Sequence, residues 1–303
     1  MPELTLGQRT VSQLQVSLGR GMTLRTGPFR FRIQSRSSAI AQGLSLLYAD
    51  FPFEEDTGLR DFHVRLDGVT GPRRWYRPQV NFWLDKASPF KPLPKEHAFA
   101  LLEWGMNWCI ATFSHHYLLL HAAVLERRVQ CVILPGEPGA GKSTLTAALS
   151  LCGWRLLSDE LTIIDREDGG IVPLARPVSL KNRSIEIIRA FDSGAVVGQA
   201  AHDTHKGTVA HLKPPTDSVR RMGEKGRAVH VIFPRWASGA RIQLRPRAKA
   251  EAFMQTATHS FNYSRLGRLG FDLNAQLIDS CKCWDFEYSE LEEALRTFEE
   301  LTR

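Results

Sequence analysis

Gly136-Glu137-Pro138-Gly139-Ala140-Gly141-Lys142-Ser143 organises the reading of this 303-residue chain. Its glycines let backbone amides turn inward around phosphate oxygens, and a helix opening at Ser143 adds the partial positive charge of its N-terminus. The flanks have the form such a loop requires. Residues 129–134 are short, apolar and rich in β-branched side chains, as a buried strand is, and residues 143–151 carry Ala and Leu at helical spacing before Gly153 ends them. In that strand-loop-helix context Lys142 is placed for the outer phosphates of a nucleotide and Ser143 for its magnesium ion. A tight Gly-Pro turn alone would not require a lysine and two hydroxyls, Ser143 and Thr144, after the last glycine.

Outward from the loop, composition removes several classes of protein. At 43% apolar residues the chain can fill one large core or two ordinary ones, and it is neither disordered nor fibrous. The five cysteines, Cys109, Cys131, Cys152, Cys281 and Cys283, include no spaced ligand pair, which predicts a reduced, cytoplasmic protein without disulfides or zinc. No basic-then-apolar signal opens the sequence, so no export is expected. Residues 104–125 carry no formal charge, yet they contain Asn107, Ser114 and three histidines and change from helical to strand spacing midway. No membrane span is expected there. The net charge of +7 is unevenly spread: residues 176–249 hold 15 Lys/Arg against 5 Asp/Glu, and residues 250–303 hold 5 against 10. Such runs are ordinarily solvated faces; here the basic one also suits the rim of a polyanionic nucleotide and an acidic protein substrate. Nucleic acid is not expected, because no aromatic residues interleave the basic ones. A homo-oligomer stays open.

Taken in order, residues 11–16 alternate weakly and read as a strand or an arm, and residues 29–33 as a half-buried strand. Residues 38–48 read as an amphipathic helix, residues 61–67 and 78–85 as strands, and residues 96–113 as a core helix. This defines a small α+β N-terminal domain over 1–114, followed by the phosphate-loop domain over 115–303. The second domain opens with a hairpin, residues 117–126 and 129–134 around Arg127-Arg128. A third strand at 154–157 ends on Ser158-Asp159-Glu160, and 161–164 pairs with 171–174 around Asp168-Gly169-Gly170. Residues 195–227, rich in Gly, Pro, His and charge, read as a mobile loop, expected to order on substrate binding. Residues 229–234 read as a buried strand, with helices at 248–260 and 288–301.

A phosphate loop needs a carboxylate near its metal ion. Asp159 and Glu160 come 17 residues after Lys142, a spacing that holds one helix and one return strand, so both acids lie near the phosphates. Adjacent residues of an extended segment point to opposite sides, so one acid can face the metal and the other an acceptor. His121, 15 residues before Gly136, sits on the strand paired with the one that feeds the loop. It is either a satisfied core histidine or a group whose ring orients Asp159.

His121, the hairpin, residues 136–143 and Gly153-Trp154-Arg155-Leu156-Leu157-Ser158-Asp159-Glu160 together resemble the catalytic domain of the HPr kinase/phosphorylase family. The whole chain looks most like its bacterial relatives, the HPr kinase-related kinases. The tight match covers 118–165 and a looser one runs to residue 303. The resemblance implies an α/β (α+β) fold similar to phosphoenolpyruvate carboxykinase, with the phosphate loop on a mainly antiparallel sheet. It also implies an ATP- and Mg2+-dependent serine kinase acting on a small protein, a peptide or a small molecule. In that picture Asp159 accepts the seryl proton, His121 is its partner, Lys142 holds the β/γ phosphates, Ser143 and Glu160 bind magnesium, and Arg221 stabilises the transferred charge. Asn262-Tyr263 resembles a further family pair with no assigned role. Two departures stand out: Glu160 replaces the family's usual Asp, and residues 179–184 contain no acid where the family has a metal-binding Glu. The alternative class is a nucleotide-binding sensor or scaffold that transfers nothing, which would not need the Asp159 and His121 pair.

Overall fold

Side chains of the strand Gln130–Pro135 divide by parity: Val132 and Leu134 enter one hydrophobic cluster, Cys131 and Ile133 another on the opposite face. A strand covered on both faces reads as a continuous apolar run, which is why the sequence marks it so clearly. It lies inside a six-stranded sheet ordered Arg155–Ser158, Ala122–Arg127, Gln130–Pro135, Ala228–Trp236, Lys282–Tyr288, Gln243–Pro246. Three of its five pairings are antiparallel and two parallel, so this is a mixed sheet. The structure, a computed structural model, describes residues 4–54, 58–69, 75–137 and 139–303.

One face of the sheet carries the helices Lys142–Leu151 and Leu291–Leu301, which pack Leu145, Leu149 and Phe298 against Leu134, Leu156 and Phe286. On the other face the helices Lys249–Thr258 and Arg268–Ser280 bring Ala252, Leu273 and Leu277 against Val124, Ile133 and Val231. Burying each such aliphatic side chain stabilises the fold by about 1.5–3 kcal/mol. The hairpin turn is Arg128-Val129, both with positive φ, so the feeding strand begins one residue later than its apolar run.

The earlier part of the chain builds its own six-stranded sheet, Phe53–Glu54, Met22–Thr26, Phe29–Ser35, Phe62–Gly68, Gln79–Leu84 and Leu93–Pro94 in spatial order. Helices Ser38–Leu47 and Ala98–Phe113 pack on it through Ile40, Leu44, Leu102 and Met106. That cluster does not stop at residue 114; it continues through Leu119, Leu161, Ile163 and Leu174.

Three expectations are corrected. Residues 11–16 belong to a helix, Val11–Arg20, because Thr10 and Gln13 cap each other and Leu14 and Leu18 bury one face. The apolar run 117–126 is two strands in different sheets: Tyr117–Leu120 pairs with Thr162–Asp165, the chain bends at His121, and Ala122–Arg127 joins the central sheet. Residues 195–227 are not a bare loop. They hold the hairpin Ala201–Thr204 with Gly207–Leu212, which extends Val178–Lys181 into a three-stranded sheet, and the short helix Thr216–Arg220. Val209, Ala210 and Leu212 on alternate faces supply burial that the polar composition hid.

Candidate active site

The feeding strand ends at Pro135 and the helix begins at Lys142, so the connection lies at the C-terminal end of an interior strand of the central sheet. Gly139 (φ 90°) and Gly141 (φ 83°) take conformations that L side chains avoid. At Gly141 a Cβ would stand 2.5 Å from Tyr288 Oη and 2.8 Å from Trp236 Cβ, so the residue also needs glycine's lack of bulk. The loop is pinned from outside: Tyr288 Oη donates to Gly141 O (3.2 Å) and Trp236 N to Ala140 O (3.0 Å). Glu137 is exposed and its Oε1 lies 3.1 Å from His259 Nε2. Pro138 lies outside the described residues. Gly136 is buried, Ala140 is half-buried, and Ser143 and Thr144, in the first turn of the helix, are half-buried too.

Lys142 is 8% exposed, and its Nζ has no hydrogen-bond partner among the described residues. Burial lowers its pKa, against the opposing charges of Asp159 and Glu160. Those two acids follow the strand Arg155–Ser158 directly. Asp159 is buried; Oδ2 accepts from Ser179 N (3.0 Å), and Oδ1, like Lys142 Nζ, has no hydrogen-bond partner among the described residues. Burial, reinforced by the Glu160 charge, raises the Asp159 pKa to about 6. Lys142 and Asp159 thus feel one another's charge without a hydrogen bond between them. Glu160 is held differently. Oε2 accepts from Asn107 Nδ2 (2.8 Å) and Oε1 lies 3.6 Å from Lys181 Nζ. Burial would raise its pKa, but Lys181, Lys206, Lys142 and His121 together bring it below the ordinary glutamate value.

His121 occupies the bend between two strands rather than the strand itself, and its backbone N donates to His259 O (2.7 Å). Its ring meets Phe261 edge to face, 5.7 Å between centroids. Burial and then the Lys142 charge lower its pKa to about 4, so the ring is neutral near pH 7. No hydrogen bond joins it to Asp159 among the described residues; the carboxylate whose charge acts on it is that of Glu160. The expectation that His121 reaches Asp159 is therefore corrected.

Arg221 is corrected as well. Its guanidinium bonds Glu224 (2.7 Å) and Asp217 (3.4 Å) and lies 4.0 Å from Glu126. Glu126 pairs with Cys131 and Arg155 across the sheet, whereas Ala122 pairs with Pro135 at the phosphate-loop end, so Arg221 sits at the far end of these strands. Besides Lys142, the cations that act on the acids are Lys181 and, at Glu160, Lys206, neither of which sequence reasoning picks out. A signal for Lys181 exists: it lies in the 179–184 stretch that lacks the family's acid. Asn262 gains a structural role, since its side chain bonds Leu119 N (3.0 Å) and Tyr117 O (2.8 Å) and fixes the strand leading into His121.

A cavity of about 80 Å³ adjoins the acids, with Trp104, Asn107, Asp159, Glu160, Arg176 and Lys206 among its walls. Trp104 and Asn107 come from the helix Ala98–Phe113 and Lys206 from the turn of the hairpin at 201–212. Among the described residues no group of three or more His, Cys, Asp or Glu side chains is arranged to hold a metal by itself. Nor is any helix there long and apolar enough to cross a membrane.

No family model matches the chain. No curated protein matches it either. Among solved structures it is similar to the HPr(Ser) kinase/phosphatase from Coxiella burnetii, at 14% identity, covering 61% of this chain and 97% of that one. The TM-score is 0.28, and a likeness that distant carries no functional argument.

Proposed function

We propose that this chain is an ATP- and Mg2+-dependent kinase that transfers a phosphoryl group to a serine hydroxyl of a small protein, a peptide or a small molecule. The observation that carries this reading is that two of the buried polar atoms without a hydrogen-bond partner among the described residues, Lys142 Nζ and Asp159 Oδ1, carry opposite charges that act on one another. Burying such groups unpaired costs free energy, and ligand groups that complete their bonds explain why they are kept. Lys142, at the helix N-terminus behind two left-handed glycines, fits phosphate oxygens. Magnesium ordinarily takes only one or two carboxylates and completes its shell with phosphates and water; Ser143 and Glu160 would hold it here.

When bound, MgATP supplies the phosphoryl group and a divalent charge that neutralises it. The chain's own residues do the rest. Asp159 Oδ1 accepts the proton of the acceptor hydroxyl as its oxygen bonds to the γ-phosphorus and the bond to the ADP oxygen breaks. A carboxylate with its pKa near 6 is a stronger base than an ordinary one and still ionised at neutral pH. Lys142 offsets charge on the phosphates, His121 stays neutral beside it, and the cavity beside Asp159 is where the acceptor enters. The five unpaired thiols fit a cytoplasmic setting, and residues 115–303 form the proposed catalytic domain, with 1–114 a small domain whose hydrophobic cluster continues into it.

The test is incubation of the full chain with γ-labelled ATP and a lysate or the products of neighbouring genes, followed by a search for labelled serine. Asp159→Asn should still bind ATP and lose about 10²–10⁴-fold in transfer. Full transfer by that variant overturns the base assignment. ATP binding with no labelled product in any fraction favours the nucleotide sensor instead.

A further inference from the structure

Glu160 follows a strand end with no regular structure of its own to aim it, and a glutamate side chain has three rotatable bonds. Lys181 Nζ lies 3.6 Å from Oε1, and the hydrogen bond to the carboxylate comes from the earlier part of the chain. Asn107, on the helix Ala98–Phe113, donates through Nδ2 to Glu160 Oε2 (2.8 Å), while its Oδ1 accepts from Arg176 Nη1 (2.6 Å). An arginine can only donate, so the amide is oriented: its oxygen must face Arg176 and its NH2 must face Glu160.

Arg176 is itself fixed. It is 5% exposed, donates through Nη2 to Glu103 Oε2 (2.6 Å) and Glu103 O (3.0 Å), and donates through Nε to Tyr48 Oη (3.2 Å). Tyr48 Oη in turn donates to Glu103 Oε1 (2.6 Å). Glu103 and Asn107 stand one helical turn apart on the same helix, so one arginine engages both. The chain of bonds runs without a gap from Tyr48 through Glu103, Arg176 and Asn107 to Glu160.

We infer that Asn107 is a positioning residue for Glu160, locked by Arg176, and that the N-terminal part of the chain completes the catalytic site through it. This rests on the proposed role of Glu160 at magnesium. Partners one bond behind a metal ligand orient it, and their loss typically weakens metal affinity 10–100-fold. A purely structural Asn107 would cost stability and leave the metal dependence alone.

The discriminating measurement is ATP binding by the full chain, titrated with and without Mg2+, for wild type, Asn107→Leu, Glu160→Gln and the double variant. We expect Mg2+ to tighten ATP in the wild type, Asn107→Leu to need about tenfold more Mg2+ for the same tightening, and affinity for metal-free ATP to be unchanged. In the Glu160→Gln background, Asn107→Leu should add nothing. If Asn107→Leu does not fold, Asn107→Ser, which cannot span the same distance, is read in the same way. Magnesium dependence equal to wild type in the folded variant overturns the positioning role and leaves the kinase reading standing. A wild type whose ATP binding ignores Mg2+ overturns both.

Discussion

Two groups of buried charge lie on either side of Glu160, and they are built on opposite principles. Around Arg176 the guanidinium bonds Tyr48, Asn107 and both the backbone and the carboxylate of Glu103. Burial opposes its charge, yet Tyr48 and Glu103 hold its pKa well above the ordinary arginine value. Around Lys142 and Asp159 the charges are as deeply buried, but Nζ and Oδ1 find no hydrogen bond among the described residues, and burial shifts both pKa values toward the neutral forms. The first cluster is complete within the chain. The second is left incomplete among the described residues, and on the proposed reading a bound nucleotide and acceptor complete it.

The comparison is broken most violently at the first cluster. Arg176→Met removes one member of a buried pair and strands Glu103, whose carboxylate is 5% exposed, with Tyr48 as its remaining partner there. A loss of about 3–5 kcal/mol of folding stability is expected, read from urea denaturation. A loss below about 1 kcal/mol would show that water or relaxation satisfies Glu103 and that the cluster is no rigid support. Because Asn107 depends on Arg176 for its orientation, any folded fraction should also need more Mg2+ to tighten ATP.

At the site the sign reverses. Asp159 titrates near pH 6 in the folded protein against 3.8 for a free aspartate, so the folded state holds the proton more tightly. Above pH 6 the carboxylate is charged in both states and its burial destabilises the fold; below 3.8 it is neutral in both and the penalty is gone. Asp159→Asn never carries the penalty. It should therefore stabilise the nucleotide-free protein at pH 7 by about 1–3 kcal/mol, the net shift, which already contains the attraction to Lys142, setting the upper figure and the buried amide NH2 that replaces Oδ1 reducing it. The advantage should shrink as pH falls through 6 and vanish by about pH 4. Thermal melts of both proteins at about pH 7, 5.5 and 4 check it, and a difference that does not change with pH would mean Asp159 is not buried as a charge. A variant that gains stability while losing transfer is the mark of a residue kept for function.

The placement of the loop beside the two acids was more legible in the sequence than the architecture around it. Residues 136–144 declare themselves because left-handed glycines, a lysine and hydroxyls are needed at fixed spacing, and Asp159-Glu160 follow because one helix and one strand have a fixed reach. The element types around them were readable for the same reason, with Gln130–Pro135 and Lys142–Leu151 found within a residue or two. What escaped was long-range. Asn107 and Arg176 are 69 residues apart and meet only because the helix Ala98–Phe113 packs beside the acids; neither periodicity nor composition encodes that contact. The bend at His121 was invisible because both strands it separates are equally apolar, and the sheet at 201–212 was masked by its exposed, polar face.

Arg221 is where sequence analogy and geometry part most plainly, and it makes the smallest prediction. By position in the chain it belonged near the transferred phosphoryl; in space it caps the short helix at 216–220 and joins Glu224, Asp217 and Glu126 at the far end of the sheet. Its guanidinium is about one-third exposed, and pairs of that kind contribute roughly 0–1 kcal/mol each. The stronger bonds at this corner come from Arg155, which is buried, pairs with Glu126 and donates to the Arg221 and Glu224 carbonyls. These survive truncation of the Arg221 side chain. Arg221→Ala should therefore cost less than about 1 kcal/mol of stability and leave transfer from γ-labelled ATP within about twofold of wild type. A loss of tenfold or more, with unchanged denaturation, would mean that the corner at 216–225 swings toward the phosphates when nucleotide binds, and that the far end of the sheet belongs to the site after all.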